Sequence, residues 1–300
     1  MMRWFITLGA AILALTLGGF IVVQEGAPWR VLSERIYPTA KEMRAQESAL
    51  CQGTDVRDGV TLGGKANQPI ITCSHDIGAQ ESLYVWGDSH GRHLLAGLID
   101  SFPEHNIHIL YFTSCLAQSG SAGYVYTYEG RDAFERDCLD RNARARAFFE
   151  QLKPSAVLLH QYFEYEGQFS DAWFAATDEI IAGLEASGHR VAFIGGVIMP
   201  GVALGSCLAV PALISDVQLS RRCLGIPEPA DRILARNDNL AQRFADHFVN
   251  VNDFFCPKSG PCLTTDGSTL LFRDKHHLTL EGSRMMIQAI RPRLSQLLRL

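Results

Sequence analysis

Short apolar runs alternate with amphipathic stretches from Ser82 to the end of the chain. Leu83–Trp86, Ile107–Phe112, Ala156–His160, Arg190–Ile194 and Phe248–Val251 are brief, dense in branched and aromatic residues, and bounded by polar or glycine-containing turns. That is the pattern of buried strands. Helical spacing of apolar positions runs over Arg92–Ser101, Ala133–Gln151, Ala172–Ser187 and Asp231–His247, and a last such stretch covers Leu280–Leu300. Ser170 and Asp171 suit the start of the third helix and Gly188 its end. Strands without a polar face, separated by helices, must be covered on both sides. The pattern therefore predicts an α/β fold, a doubly wound, mostly parallel five-stranded sheet with helices on both faces. Ligands of such sheets bind beyond the carboxyl ends of the strands.

Upstream the pattern changes. Trp4–Val23 is almost free of charge and long enough to cross the ~30 Å hydrocarbon of a bilayer. Its end, Gly19–Gln24, offers no small-residue cleavage site, so the run reads as an uncleaved transmembrane helix rather than a signal peptide. Arg3 before the span places the N-terminus in the cytoplasm and the remainder outside. Residues 25–80 are irregular, with an amphipathic stretch near Leu32–Ser48 and turn-rich sequence around Gly53–Gly64. The division expected is an anchor over 1–24, a stalk or lead-in over 25–80, and the α/β domain over 81–300.

With 300 residues, 47% of them hydrophobic, the chain can bury one substantial core. A net charge of −5 and the lack of any Lys/Arg run give no electrostatic footprint for nucleic acid. Eight cysteines, at 51, 73, 115, 138, 207, 223, 256 and 262, include no C-x-x-C pair, which disfavours zinc. Taken in order they bracket successive loops, and the simplest framework pairs neighbours: Cys51 with Cys73, Cys115 with Cys138, Cys207 with Cys223, Cys256 with Cys262. Such bonds belong to an oxidising compartment.

The first strand runs into Gly87-Asp88-Ser89-His90-Gly91. A serine on a tight strand-to-helix turn holds its hydroxyl clear of the sheet, and amides at the helix start can receive an oxyanion. Ser89 therefore reads as a nucleophile. Near the other end stands Asp274-Lys275-His276-His277-Leu278-Thr279, just before the last helix. A carboxylate and an imidazole three apart on such a turn can meet, and a serine needs that pair as base and orienting group. Asp274 is the carboxylate; His277 is the base, with His276 an equal candidate on the residues alone. Asp88 suits a helix cap better than direct catalysis. His90 and His93, three apart, suit packing at a helix start better than a metal pair. Tyr124, Tyr126 and Tyr128 alternate in a loop and could stack on sugar rings or anchor a strand edge.

Gly87-Asp88-Ser89 and Asp274-x-x-His277-Leu278-Thr279 resemble the first and last blocks of the SGNH (GDSL-like) hydrolases. The form Gly-Asp-Ser-His, the paired cysteines and the closing His-Leu-Thr-x-x-Gly are more similar to one branch, the extracytoplasmic SGNH domain that follows the membrane domain of bacterial acyltransferase-3 proteins. Val22–Arg30 resembles the exit of the last membrane helix in those fusions. The resemblance implies an SGNH-hydrolase-like fold, favours His277 over His276, and implies O-acetylation of surface glycans. The wider family has a Gly in its second block and an Asn in its third. Here Thr113-Ser114-Cys115 and His160-Gln161-Tyr162 stand at those places. The oxyanion donors are then the Ser89 amide, with Gln161 or His160 beside it.

Together these readings predict an extracytoplasmic, single-pass enzyme of the cytoplasmic membrane. It would move an acyl group, acetyl above all, through acyl-Ser89 to a cell-surface glycan, as an O-acetyltransferase, or to water, as an acetylesterase. No cofactor or metal is expected. One span cannot carry acyl groups across the membrane, so a transferase needs a separate integral membrane protein as donor. Two rivals use the same residues. A two-metal phosphoesterase would start from Gly-Asp-x-His-Gly but needs further Gly-Asn-His and Gly-His-x-His ligand motifs, which the chain lacks. A non-catalytic glycan- or partner-binding domain would have no use for Ser89, Asp274 and His277 together.

Overall fold

Along Ser82–Gly87 the side chains alternate between two apolar environments, as the period-two geometry of a strand demands. Leu83 and Val85 enter one core with Ile107, Ile109, Leu158 and Ile194, while Tyr84 and Trp86 enter the other with Leu110, Leu159 and Phe193. The computed structural model describes residues 40–51, 72–118, 131–163, 168–200, 229–257, 262–264 and 270–300. The elements in chain order are α1 (Ala40–Ala49), β1 (Cys73–His75), β2 (Ser82–Gly87), α2 (Ser89–Arg92), α3 (Leu95–Ser101), β3 (Asn106–Tyr111), α4 (Arg131–Gln151), β4 (Ala156–His160), α5 (Asp171–Ala186), β5 (Arg190–Ile194), α6 (Pro229–Arg243), β6 (Phe248–Val249), α7 (Asn252–Phe255) and α8 (Leu280–Leu298).

The sheet order is β1-β3-β2-β4-β5-β6. β2 lies parallel between β3 and β4, and β5 and β6 continue the parallel set. The chain moves from β2 to one neighbour and then returns past it to the other. In such sheets ligands bind where those two connections diverge, here at the carboxyl end of β2. One face is covered by α3 and α8, through Leu95, Leu98, Met286, Ile287, Ile290 and Leu294. The other is covered by α4, α5 and α6, through Phe149, Trp173, Ile180, Leu184 and Leu240.

The sheet has six strands where the pattern predicts five, and it is mixed. The additional strand, β1, pairs antiparallel with β3 at the edge and lies in the segment read as lead-in. Three residues are too few to display a period. What holds them is tertiary: the Cys51–Cys73 disulfide, and Thr72, whose hydroxyl donates to the Ile109 carbonyl at 2.9 Å. The helix expected over Arg92–Ser101 is two helices with a break at His93 and Leu94. Ser170 caps α5 by accepting from the Trp173 amide, and Gly188 follows it at φ +84°.

Disulfides join Cys51 to Cys73, Cys115 to Cys138 and Cys256 to Cys262, in the neighbour pairing expected. Cys207 and Cys223 lie outside the described residues, as do Trp4–Val23 and Tyr124, Tyr126 and Tyr128. Among the described residues no helix is long and apolar enough to cross a membrane.

Candidate active site

β2 ends at Gly87, where a Cβ would run into the backbone carbonyl of His160 at the end of β4. Only glycine allows the two strand ends to close so tightly. Asp88 then caps α2, its Oδ1 accepting the His90 amide at 2.8 Å. Its Oδ2 accepts the Tyr162 amide at 3.0 Å, so this one carboxylate ties the exit of β2 to that of β4. Asp88 is fully buried. Burial disfavours its charge more than the amide hydrogen bonds favour it, and its pKa is pushed up to about 7. It braces the turn and makes no contact with the reacting groups.

The partner loop is closed by local pairing. Phe272 and Leu278 form an antiparallel bridge, and the Arg273 amide donates to the His277 carbonyl at 3.0 Å. Thr279 caps α8 by accepting from the Gly282 amide, and its hydroxyl donates to the Leu270 carbonyl at 2.6 Å. Held in this loop, Asp274 accepts from the amides of His276 and His277 at 3.1 and 2.9 Å. His277 Nδ1 donates to the same carboxylate, 3.0 Å from Oδ1 and 2.9 Å from Oδ2. Burial alone would raise the Asp274 pKa, but the His277 ring and the two amides together hold it well below the usual carboxylate range. With its proton on Nδ1, His277 offers the Nε2 lone pair. The Ser89 hydroxyl donates to it at 2.9 Å.

Ser89, His277 and Asp274 thus form one hydrogen-bonded line, assembled from opposite ends of the chain. Residues 51–292 match the family model of the SGNH domain (fused to AT3 domains). The chain belongs to that family. A comparison with curated proteins finds no match. Among solved structures, the periplasmic domain of a lipopolysaccharide acetyltransferase from Salmonella ser. Paratyphi A is similar in fold. Its TM-score is 0.58 at 15% identity, over 85% of this chain and 95% of that one. A proposed acylhydrolase from Bacteroides fragilis NCTC 9343 aligns over 89% of this chain and 100% of its own, at 13% identity and a TM-score of 0.40.

The remaining candidates of the SGNH domain lie around these three residues. His276 packs tilted against His277 at 4.0 Å between centroids and bonds to His90 Nε2 through its Nδ1 at 2.9 Å, so it is not in line with Ser89. His160 is buried, its Nε2 lying 3.2 Å from His93 Nε2 and its Nδ1 facing the Ile194 carbonyl at 3.2 Å. The Leu278 amide donates to His93 Nδ1 at 3.3 Å. These ends fix every tautomer: His93 carries its proton on Nε2 and gives it to His160 Nε2, and His160 gives its own from Nδ1 to Ile194. Neither ring nitrogen of His160 is left for an oxyanion. Gln161 is buried at the exit of β4, and its side chain makes no hydrogen bond to Ser89, His277 or Asp274.

Five of the ten histidines, His90, His93, His160, His276 and His277, gather here. Burial pulls the pKa of His90 and His93 well below the ordinary value, and those of His160 and His276 to about 4. All four stay neutral near pH 7. The sequence signals this cluster only through the pairs at 90/93 and 276/277, since contacts spanning 186 residues have no local pattern.

Proposed function

We propose that the domain transfers an acyl group, most simply acetyl, through an acyl-Ser89 intermediate to a hydroxyl of an extracytoplasmic glycan. The observation that carries this reading is the unbroken line Ser89 Oγ to His277 Nε2, 2.9 Å, and His277 Nδ1 to Asp274 Oδ2, 2.9 Å. As Oγ attacks the acyl carbon of the donor ester, Nε2 takes its proton and the imidazolium is held by ionised Asp274. The same proton passes to the departing oxygen as the donor ester bond breaks. In the second half Nε2 draws the proton from the acceptor hydroxyl, that oxygen attacks the acyl-serine, and the proton returns to Ser89 as its ester is released. The Ser89 amide is the oxyanion donor we assign, with Gln161, buried at the exit of β4, as the second.

The glycan acceptor is supported by the family's fusion to acyltransferase-3 membrane domains and by the fold shared with a lipopolysaccharide acetyltransferase periplasmic domain. Disulfides and the apolar Trp4–Val23 run support an extracytoplasmic domain held to the cytoplasmic membrane by one span, with a separate membrane protein delivering the acyl group. Acetylesterase activity on the same glycans is the second reading. It is favoured by the partial exposure of Ser89 and His277, which lets water reach the acyl-serine.

The test is hydrolysis of 4-nitrophenyl acetate by the purified chain, with and without an oligosaccharide acceptor, for wild type and Ser89→Ala. Loss of at least about a thousandfold in turnover in the variant is expected. Acetylated sugar among the products establishes transfer, and acetate alone establishes hydrolysis. Equal turnover by Ser89→Ala removes the serine from the mechanism.

A further inference from the structure

Three of the clustered imidazoles converge beside Ser89. His90, His276 and His277 each present one ring nitrogen, and the three lie within 4.8 Å of one another. His90 comes from the first turn of α2, the other two from the loop before α8. His90 Nε2 and His276 Nδ1 are 2.9 Å apart, and the two rings are parallel within 2°. Of those two nitrogens one carries a proton and the other a lone pair. His277 contributes a second lone pair at Nε2, because Asp274 holds the proton on its Nδ1. His90 is 2% exposed, yet its Nδ1 has no hydrogen-bond partner among the described residues. The ring is therefore held at one nitrogen only.

We propose that His90, His276 and His277 form a binding site for a divalent cation of the zinc class, and that the bound ion switches the triad off. Three imidazoles with no carboxylate among the ligands suit a borderline-soft ion. Asp274 behind His277 supplies the carboxylate–histidine pairing that orients a ligating ring and raises its basicity. The ion takes the Nε2 lone pair of His277, the one that accepts the Ser89 hydroxyl. Ligation and the serine hydrogen bond exclude each other, so a bound ion removes the base.

No proton is released by the neutral rings. The hydrogen shared between His90 and His276 relocates to the distal nitrogen of its own ring. Tetrahedral zinc with Zn–N of about 2.0–2.1 Å sets its ligand nitrogens roughly 3.3 Å apart. The His90–His276 pair opens slightly to meet that spacing, and His277 closes. The neighbouring trio of His90, His93 and His160 also has its ring nitrogens within 4.8 Å but is the poorer site. There the Leu278 amide points at His93 Nδ1, and metal at Nε2 would force a proton onto Nδ1 against that amide.

The off-switch rests on the triad reading; the site itself does not. The experiment titrates the purified chain with cobalt(II), reading its visible ligand-field absorption, and with zinc against a chromophoric chelator, while hydrolysis of 4-nitrophenyl acetate is followed in parallel. One ion per chain is expected, bound at least as tightly by Ser89→Ala as by wild type. The zinc concentration for half-inhibition should match the dissociation constant, and a chelator should restore turnover. His276→Gln, at a partly exposed position, should raise both constants at least tenfold, each compared with the variant's own basal rate, and His90→Gln should do the same. Zinc bound as tightly by His276→Gln as by wild type overturns the site. Stoichiometric binding without inhibition overturns the switch. Undiminished turnover by Ser89→Ala retires the switch together with the triad reading, and the cobalt spectrum still reports the site.

Discussion

Glu47 of α1 is ion-paired with Arg273, the residue immediately before Asp274. Its other oxygen lies 3.5 Å from Arg92 Nε, and Arg92 donates to Tyr111 Oη and to Ser48 Oγ, each at 2.8 Å. Arg273 Nε in turn stands 3.6 Å from Asp274 Oδ2. A helix upstream of the sheet is thus wired to the loop that carries Asp274 and His277, and Cys51–Cys73 fastens its end.

Glu47 is 4% exposed, so it is a buried anion between two cations. Removing one member of such a network leaves uncompensated charge and costs about 3–5 kcal/mol. Glu47→Gln should lower stability by that order in urea unfolding. It should also lower kcat toward 4-nitrophenyl acetate by about tenfold as the Asp274 loop loosens, a change of about 1.4 kcal/mol in the barrier. Glu47→Asp should recover part of both losses. Unchanged unfolding and kinetics in Glu47→Gln would show that α1 merely rests against the domain.

Asp274 is kept ionised by three hydrogen-bond donors, two of them backbone amides and the third the His277 ring, whose Nδ1–H is shared between both oxygens. An asparagine retains an oxygen for those amides, so the loop should keep its shape in Asp274→Asn. What it loses is the acceptor that fixes the His277 tautomer and balances the imidazolium. Turnover should fall by about ten-thousandfold with near-native circular dichroism. A loss below tenfold would mean that His277 works without its carboxylate.

Acid should unfold the domain through its histidines. His90, His93 and His160 are buried neutral, with pKa values depressed by desolvation, to about 4 for His160. As pH falls below about 6.5 the unfolded chain binds protons on these rings while the folded one does not, until His160 begins to take its own near pH 4. Stability therefore rises with pH across that window and is lost as pH falls. Asp88 opposes this with one proton, since its folded pKa is raised, while the partly exposed His276, depressed to about 4, adds up to one, so two to three protons remain and the slope approaches about 3–4 kcal/mol per pH unit. His93→Gln can accept from the Leu278 amide and donate to His160, and should flatten the slope by about one proton. Urea midpoints between pH 7 and 5 measure it; a slope equal to that of wild type refutes the assignment.

The strand-turn-helix that presents Ser89 and the turn that presents Asp274 and His277 are written in contiguous residues, so both were legible in the chain. Gly87-Asp88-Ser89-His90 specifies a tight turn by local chemistry alone, and Asp274 and His277 meet because they are three apart before a capped helix. The choice between His276 and His277 is of another kind, because only the relation to Ser89 in space decides it. The edge strand β1 is too short for a period and is set by a disulfide and by Thr72. The roles of His160 and His93 depend on Ile194 and Leu278, far away in sequence. Local pattern shows which groups can react; the groups that orient them are supplied by the fold.

Asp88 offers the last prediction. Its two oxygens each accept one amide, from His90 and Tyr162. An asparagine can accept with one oxygen only, and its NH2 would face the other amide. Asp88→Asn should therefore cost about 1–3 kcal/mol at pH 5, and it should lower turnover because Ser89 is adjacent. The pH dependence of that cost has a definite sign. With a folded pKa of about 7 the native carboxyl keeps a proton that the unfolded chain gives up near pH 4, so wild-type stability from this group falls as pH rises toward 7. The asparagine has no such dependence. The gap between wild type and Asp88→Asn should narrow by about 2–3 kcal/mol between pH 5 and pH 8. A gap that stays constant over that range in paired urea titrations would mean that the two amides hold Asp88 ionised throughout.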